Sequence, residues 1–151
     1  MKLRVYLDTS VFSAYYDGRT PERMAETRLF WDRLGAMDAV TSGMARQELL
    51  RVRDVSRRMA LLHLLDGVSV RPVTDETRRV AESYVTAGLF AADRDEDAIH
   101  VAAAVISAAD VLVSWNFRHL VNRRQRAAIG EITRRLGLTM PEILAPPEVE
   151  V

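Results

Sequence analysis

Four places in the chain put side-chain oxygens where chemistry could use them. Asp8 closes an apolar run in "LRVYLD", and Asn116 follows another, "VLVSW". Glu48 interrupts the apolar stripe of "SGMARQELLRV", with Met44 and Val52 four residues to either side and Ala45 three before it. In "DEDAIHVAAAV", Asp95, Glu96 and Asp97 head a segment with almost no polar side chain after His100. Each has an ordinary explanation. Acids in a first helical turn gain about 0.3–1 kcal/mol each from the dipole and free amides. A carboxylate within an apolar stripe costs on the order of several kcal/mol if it is buried, ionised and unpartnered, and an arginine can supply the partner. As a set they ask for more. Asp8, Glu48 and an acid near position 97 would repel one another and raise each other's pKa if they met in one pocket. A divalent cation relieves that repulsion. Oxygen ligands without cysteine favour Mg²⁺ or Mn²⁺ over zinc. Such an ion polarises phosphoryl oxygens and activates water for phosphodiester cleavage.

The elements that must position these residues alternate between strand and helix. "LRVYLD" (3–8), "DAVTS" (38–42), "VSVRPV" (68–73) and "VLVSW" (111–115) read as strands, and "LTM" (138–140), between Gly137 and Pro141, as a short fifth. Helices are expected from Pro21 to about Met37, from Ser42 to about Arg53, and from about Val55 to Leu65. Three more run from Thr74 to near Gly88, from Asp95 to Ala108 and from Asn122 to Leu136. Such alternation implies an α/β fold with a mostly parallel sheet. In that architecture ligands sit outside the carboxyl ends of the strands, at the switch point of the topology. Asp8 and Asn116 both lie at carboxyl ends. Asp110 lies at the opposite end of the strand leading to Asn116 and reads as a turn residue.

Composition narrows the class. A chain of 151 residues with no net charge and 48% hydrophobic residues is expected to form one globular domain, 1–144, with "APPEVEV" (145–151) as a loose tail. It has no cysteine, which excludes disulfides and thiolate metal sites. No apolar run approaches a membrane span, and "MKLRVYLDTS" lacks a signal-peptide core, so a cytoplasmic protein is expected. Arginines cluster at positions 51–58 and 118–135, while Lys2 is the only lysine. These are solvated helix faces or contacts to a polyanion.

Taken in order, "VYLDTSVF", "TSGMARQELL", "DAIHVAAAV" and "DVLVSWNFRHLVN" resemble the four acidic motifs of PIN-domain nucleases, nearest to the VapC-type toxins of bacterial toxin–antitoxin pairs. The resemblance spans about Lys2 to Met140. It selects Asp97 from the acidic trio because that residue precedes "AIH". It implies a three-layer α/β/α sandwich with a mostly parallel central sheet of four to five strands. It also implies a Mg²⁺- or Mn²⁺-dependent endoribonuclease acting on RNA, a homodimer and a small antitoxin partner. On this resemblance Asp8, Glu48 and Asp97 hold the metal, while Asn116, where many relatives carry aspartate, orients water. Asp95 or Asp93 would compensate for the charge missing at Asn116.

Further roles follow from position. The hydroxyls of Thr9 and Ser10 can hydrogen-bond a carboxylate or phosphate, or Ser10 can cap a short helix. Arg118, Arg123 and Arg124 are placed to meet the RNA backbone. His100, one turn after Asp97, reads as a packed helix residue, and His119 as a loop residue near the site. Tyr15, Tyr16, Phe30 and Trp31 suit helix packing or a dimer face. A phosphatase using Asp8 as nucleophile would want a second aspartate at Ser10 and a late lysine, and the chain has neither. A PIN-like module that binds RNA or protein with weak or no cleavage is the alternative that Asn116 keeps open.

Overall fold

Residues 1–150 are described by a computed structural model, and they form an α/β sandwich. The strands are β1 (Arg4–Leu7), β2 (Asp38–Ser42), β3 (Ser69–Arg71), β4 (Val111–Val113) and β5 (Glu142–Leu144). The helices are α1 (Thr9–Ser13), α2 (Pro21–Asp32), α3 (Gly43–Leu50), α4 (Val55–His63), α5 (Asp75–Thr86), α6 (Asp95–Ile106) and α7 (Arg123–Arg135). All five strands are parallel, in the order β3-β2-β1-β4-β5.

Two apolar cores lie on opposite faces of the sheet, and the alternation along β1 shows why. Val5 and Leu7 point into one core with Phe12, Phe30, Leu49 and Leu61, beneath α1, α2 and α4. Tyr6 points into the other with Tyr84, Val101 and Ile129, beneath α5, α6 and α7. Helix α6 is buried along almost its whole length, which its apolar run and small alanines allow. Helix α3 serves both cores, with Met44 in one and Leu49 in the other.

The chain builds outward from β1 to β3, then returns to lay β4 and β5 on the other side of β1. The topology therefore switches at the carboxyl ends of β1 and β4, where α/β folds form crevices. Asp110, at the far end of β4, accepts from the Arg4 amide at 2.8 Å, and the Asp110 amide donates to the Arg4 carbonyl. It fastens the base of the sheet.

Several boundaries differ from the sequence expectation. The fifth strand is Glu142–Leu144 and not 138–140. Gly137, at φ 75°, ends α7 in a left-handed turn, and the Leu138 amide bonds back to Thr133. Residues 138–140 are thus spent leaving the helix, and pairing begins where the Glu142 amide meets the Asp110 carbonyl. Helices α2 and α3 stop short, at Asp32 and Leu50. Residues 145–149 are not loose. Ala145, Pro146 and Val149 are buried, and Val149 joins the core beneath α2. Arg33 donates to the Val149 carbonyl at 2.8 Å, and Glu148 accepts from the Ala145 amide at 2.9 Å. Prolines and acids hid one buried valine and a self-capping turn. Val151 lies outside the described residues.

Tyr84 links α5 to α7 through a 2.7 Å hydrogen bond to the Thr133 hydroxyl. Burial pushes its phenol above the ordinary value, more than the Thr133 bond lowers it. An unfolded tyrosine ionises near pH 10. The folded state therefore retains the proton where the unfolded chain has lost it. The stabilisation is complete below about pH 10 and disappears as pH rises through the folded pKa. Urea titrations at pH values from about 8 to 11 should show a shallower alkaline loss of stability for Tyr84→Phe than for wild type. Parallel losses would contradict this.

Candidate acidic site at the switch point

Asp8 leaves β1 and caps α1. Its Oδ1 accepts from the Ser10 amide at 3.0 Å and from the Ser10 hydroxyl, while its Oδ2 accepts from the Ser114 hydroxyl. The N-cap of α1 is thus Asp8 rather than Ser10, and Ser10 serves the carboxylate. Ser10 Oγ also accepts from the Trp115 amide at 2.8 Å, and Ser114 Oγ from the Asn116 amide at 2.9 Å. Two serine hydroxyls therefore stitch the end of β4 to the end of β1 through Asp8.

Glu48 projects from α3, half-buried. Its Oε1 accepts from Thr9 Oγ1 at 2.9 Å and from His100 Nε2 at 2.6 Å. His100 is buried on α6, and its Nδ1 lies 2.8 Å from the Tyr6 hydroxyl. The Tyr6 hydroxyl in turn is 2.7 Å from Ser42 Oγ. His100 is thus packed, as the sequence suggested, and also polar at both ring nitrogens. Its sequence signal was the three-residue spacing from Asp97, which puts both on one helical face. Tyr6 and Ser114 gave no sign beyond their strand positions, and Ser42 none beyond its place at the head of a helix.

Asp97 sits in the first turn of α6, partly buried, with no hydrogen bond to its carboxylate among the described residues. Burial pushes its pKa up. Asp8 and Glu48 add to the rise, and the charges of His100 and His119 oppose it. Asp8 is likewise raised, chiefly by burial, against His100 and its two serine bonds. Glu48 goes the other way. Burial alone would raise it, but the hydrogen bond and charge of His100, with Thr9, hold it below the ordinary carboxylate range. Burial would lower His100, yet the Glu48 hydrogen bond and the charges of Asp8, Glu48 and Asp97 raise it. Asp8, Glu48 and Asp97 thus lie near enough to His100 for their charges to act on it, and of the three only Glu48 hydrogen-bonds the ring.

The remaining expected residues are placed less centrally. Asn116 caps the turn after β4, its Oδ1 accepting from the His119 amide at 3.0 Å. His119 Nε2 is buried without a hydrogen-bond partner. Asp95 does not join the pocket. It is exposed and lines a crevice between α5 and α6 with Arg78 and Glu82, because two residues along a helix turn a side chain about 200° from Asp97. Asp93 is exposed as well. Glu96 pairs with Arg51 at 2.8 Å. Arg118, Arg123 and Arg124 are exposed and make no ion pair among the described residues.

The donor set suits a hard cation. Asp97 has both oxygens free of hydrogen bonds, and the carboxyl groups outnumber the one imidazole. Among the described residues no three His, Asp or Glu side chains stand close enough to grip an ion by themselves. Mg²⁺ does not need that, since it commonly takes one or two carboxylates and keeps several waters. The residues fit a partly hydrated divalent ion.

Crowded carboxyl groups cost stability, so removing one charge should help the fold. Asp97→Asn is expected to raise stability in chelator by roughly 0.5–2 kcal/mol. Thermal melts in EDTA check this, and a lower melting temperature would refute the repulsion.

No model of a known protein family and no curated protein matches the sequence. Solved structures do match it. VapBC-1 from nontypeable Haemophilus influenzae aligns with a TM-score of 0.63 at 13% identity, covering 97% of this chain and 100% of that one. VapBC2 from Rickettsia felis, bound to a DNA fragment from their promoter, aligns with a TM-score of 0.57 at 12% identity, covering 95% and 97%. At such identity the likeness speaks to the fold. Over nearly its whole length, the chain has the VapC-like PIN-domain fold.

Proposed function

We propose that the protein is a metal-dependent endoribonuclease, the toxin of a toxin–antitoxin pair. The observation that carries this reading is Glu48 held at 2.6 Å by His100 at the switch point, with Asp8 and Asp97 near enough for their charges to act on the same imidazole. Asp8, Glu48 and Asp97 would hold a hydrated Mg²⁺ or Mn²⁺, with water bridging to the carboxylates that do not reach the ion themselves. The ion would supply polarisation of a phosphoryl oxygen and an activated water.

The other residues work around that centre. Ser10 and Ser114 orient the Asp8 carboxylate, and Thr9 orients Glu48. Asn116, through its amide on Ser114, ties the loop after β4 to Asp8. Exposed Arg118, Arg123 and Arg124 would meet phosphates of the RNA backbone. An antitoxin partner and a homodimer belong to the same reading. The VapBC neighbours support the first, and the exposed Leu50, Val55 and Met59 along α3 and α4 offer apolar surface for a protein contact. No described helix is long and apolar enough to cross a membrane. A cytoplasmic location is part of the same proposal.

Incubation with RNA and Mn²⁺ should give cleavage that EDTA abolishes. Asp97→Asn should reduce it by on the order of 100-fold or more. RNA binding with no metal-dependent cleavage would replace the enzyme with a PIN-like binding module. Asn116→Asp retains the acceptor for the His119 amide and adds a charge. Mn²⁺ affinity measured by calorimetry should rise on the order of tenfold. An unchanged affinity would place residue 116 outside the ion's reach.

A further inference from the structure

The hydrogen bonds around Glu48 close into a ring that ordinary packing does not require. Ser42 is the N-cap of α3, its Oγ accepting from the Met44 amide at 3.3 Å. The same oxygen is 2.7 Å from the Tyr6 hydroxyl on β1, which is 2.8 Å from His100 Nδ1 on α6. His100 Nε2 then returns to α3, to Glu48 Oε1 at 2.6 Å. The path leaves α3 at its cap and rejoins it at Glu48. Ser42, Tyr6 and His100 are all buried. Glu48 is the one member of the ring that is partly exposed.

We propose that Ser42, Tyr6 and His100 are positioning residues, a buried chain that fixes the direction and the donor of the Glu48 carboxylate for the proposed metal site. The argument rests on hydrogen-bond direction. A carboxylate oxygen only accepts, so His100 Nε2 must carry hydrogen. With hydrogen at Nε2 alone, Nδ1 accepts from Tyr6, and Tyr6 accepts from Ser42. With hydrogen on both nitrogens, Nδ1 donates to Tyr6, and Tyr6 donates to Ser42. Tyrosine and serine hydroxyls serve either direction, so the donor at Glu48 is the same in both. A side chain that could only donate or only accept at position 6 would break one of the two arrangements. Phenylalanine would break both while keeping the ring that fills the core. Partners behind a metal ligand typically change metal affinity or activity about 10- to 100-fold when removed.

This inference rests on the metal-site reading for its readout of affinity, but the chain itself can be tested without metal. In wild-type protein in EDTA, nitrogen-detected NMR should show His100 with a hydrogen on Nε2, protected from exchange and coupled to its carboxylate acceptor. Absence of that hydrogen overturns the chain whatever the enzyme does. Tyr6→Phe should displace the His100 ring resonances and weaken Mn²⁺ binding, measured by calorimetry, about 10- to 100-fold. Tyr6→Phe combined with His100→Gln should be no weaker than His100→Gln alone, because both act through one path. Wild-type affinity in Tyr6→Phe, or additive losses in the pair, would overturn the proposal. If wild-type protein binds no Mn²⁺ yet shows the protected Nε2 hydrogen, the metal reading fails and the positioning chain stands as geometry.

Discussion

Negative charge crowded at the carboxyl ends of β1 and β4 is the constraint around which the rest of this molecule is arranged. Asp8 is buried, Asp97 is partly so, and each is pushed toward its protonated form by burial. Glu48 escapes that fate through His100 and Thr9. A buried ion pair of this kind is weak evidence of stability, since desolvation consumes most of the Coulombic gain. Its value lies in placement: it holds a carboxylate ionised next to others that burial pushes the opposite way. Three serines, one threonine, one tyrosine and one histidine are committed to arranging these acids, a large polar commitment for a site serving only stability.

The fold supplies the geometry at low cost. Parallel strands end together, so residues at the carboxyl ends of β1 and β4 meet without any local device. The small side chains of α6 let it press onto the sheet and bring Asp97 and His100 to that edge. Helix α3 crosses the same edge with one side in each core, which is how Glu48 comes to lie between them. The cores and the pocket are therefore one construction.

Much of this was legible from residue pattern. Asp8 after an apolar run, and Glu48 in the middle of an apolar stripe, stand out because a charge there needs a partner. The trio at 95–97 could not be resolved by pattern, since α6 is buried almost all round and periodicity has no face to choose. Asp95 belongs to a different crevice because it lies two residues round the helix from Asp97. The partners themselves were less visible. Tyr6 and Ser114 look like any strand residues, and their roles depend on pairings between distant segments. The final segment misled because one valine matters more to the core than the surrounding prolines and acids suggest. The short fifth strand was displaced because a left-handed glycine reroutes the chain before it reaches the sheet.

The bond from Ser114 to Asp8 joins residues 106 positions apart, and the chain reaches β4 only after passing through β2 and β3, which lie on the other side of β1. During synthesis the first strand waits without the Ser114 partner of Asp8 until the fourth has left the ribosome. The pocket is consequently a late event in the life of each molecule. A truncated or still-growing chain carries the acids but not their arrangement, so the cell that makes this protein meets the assembled centre only when translation is nearly done.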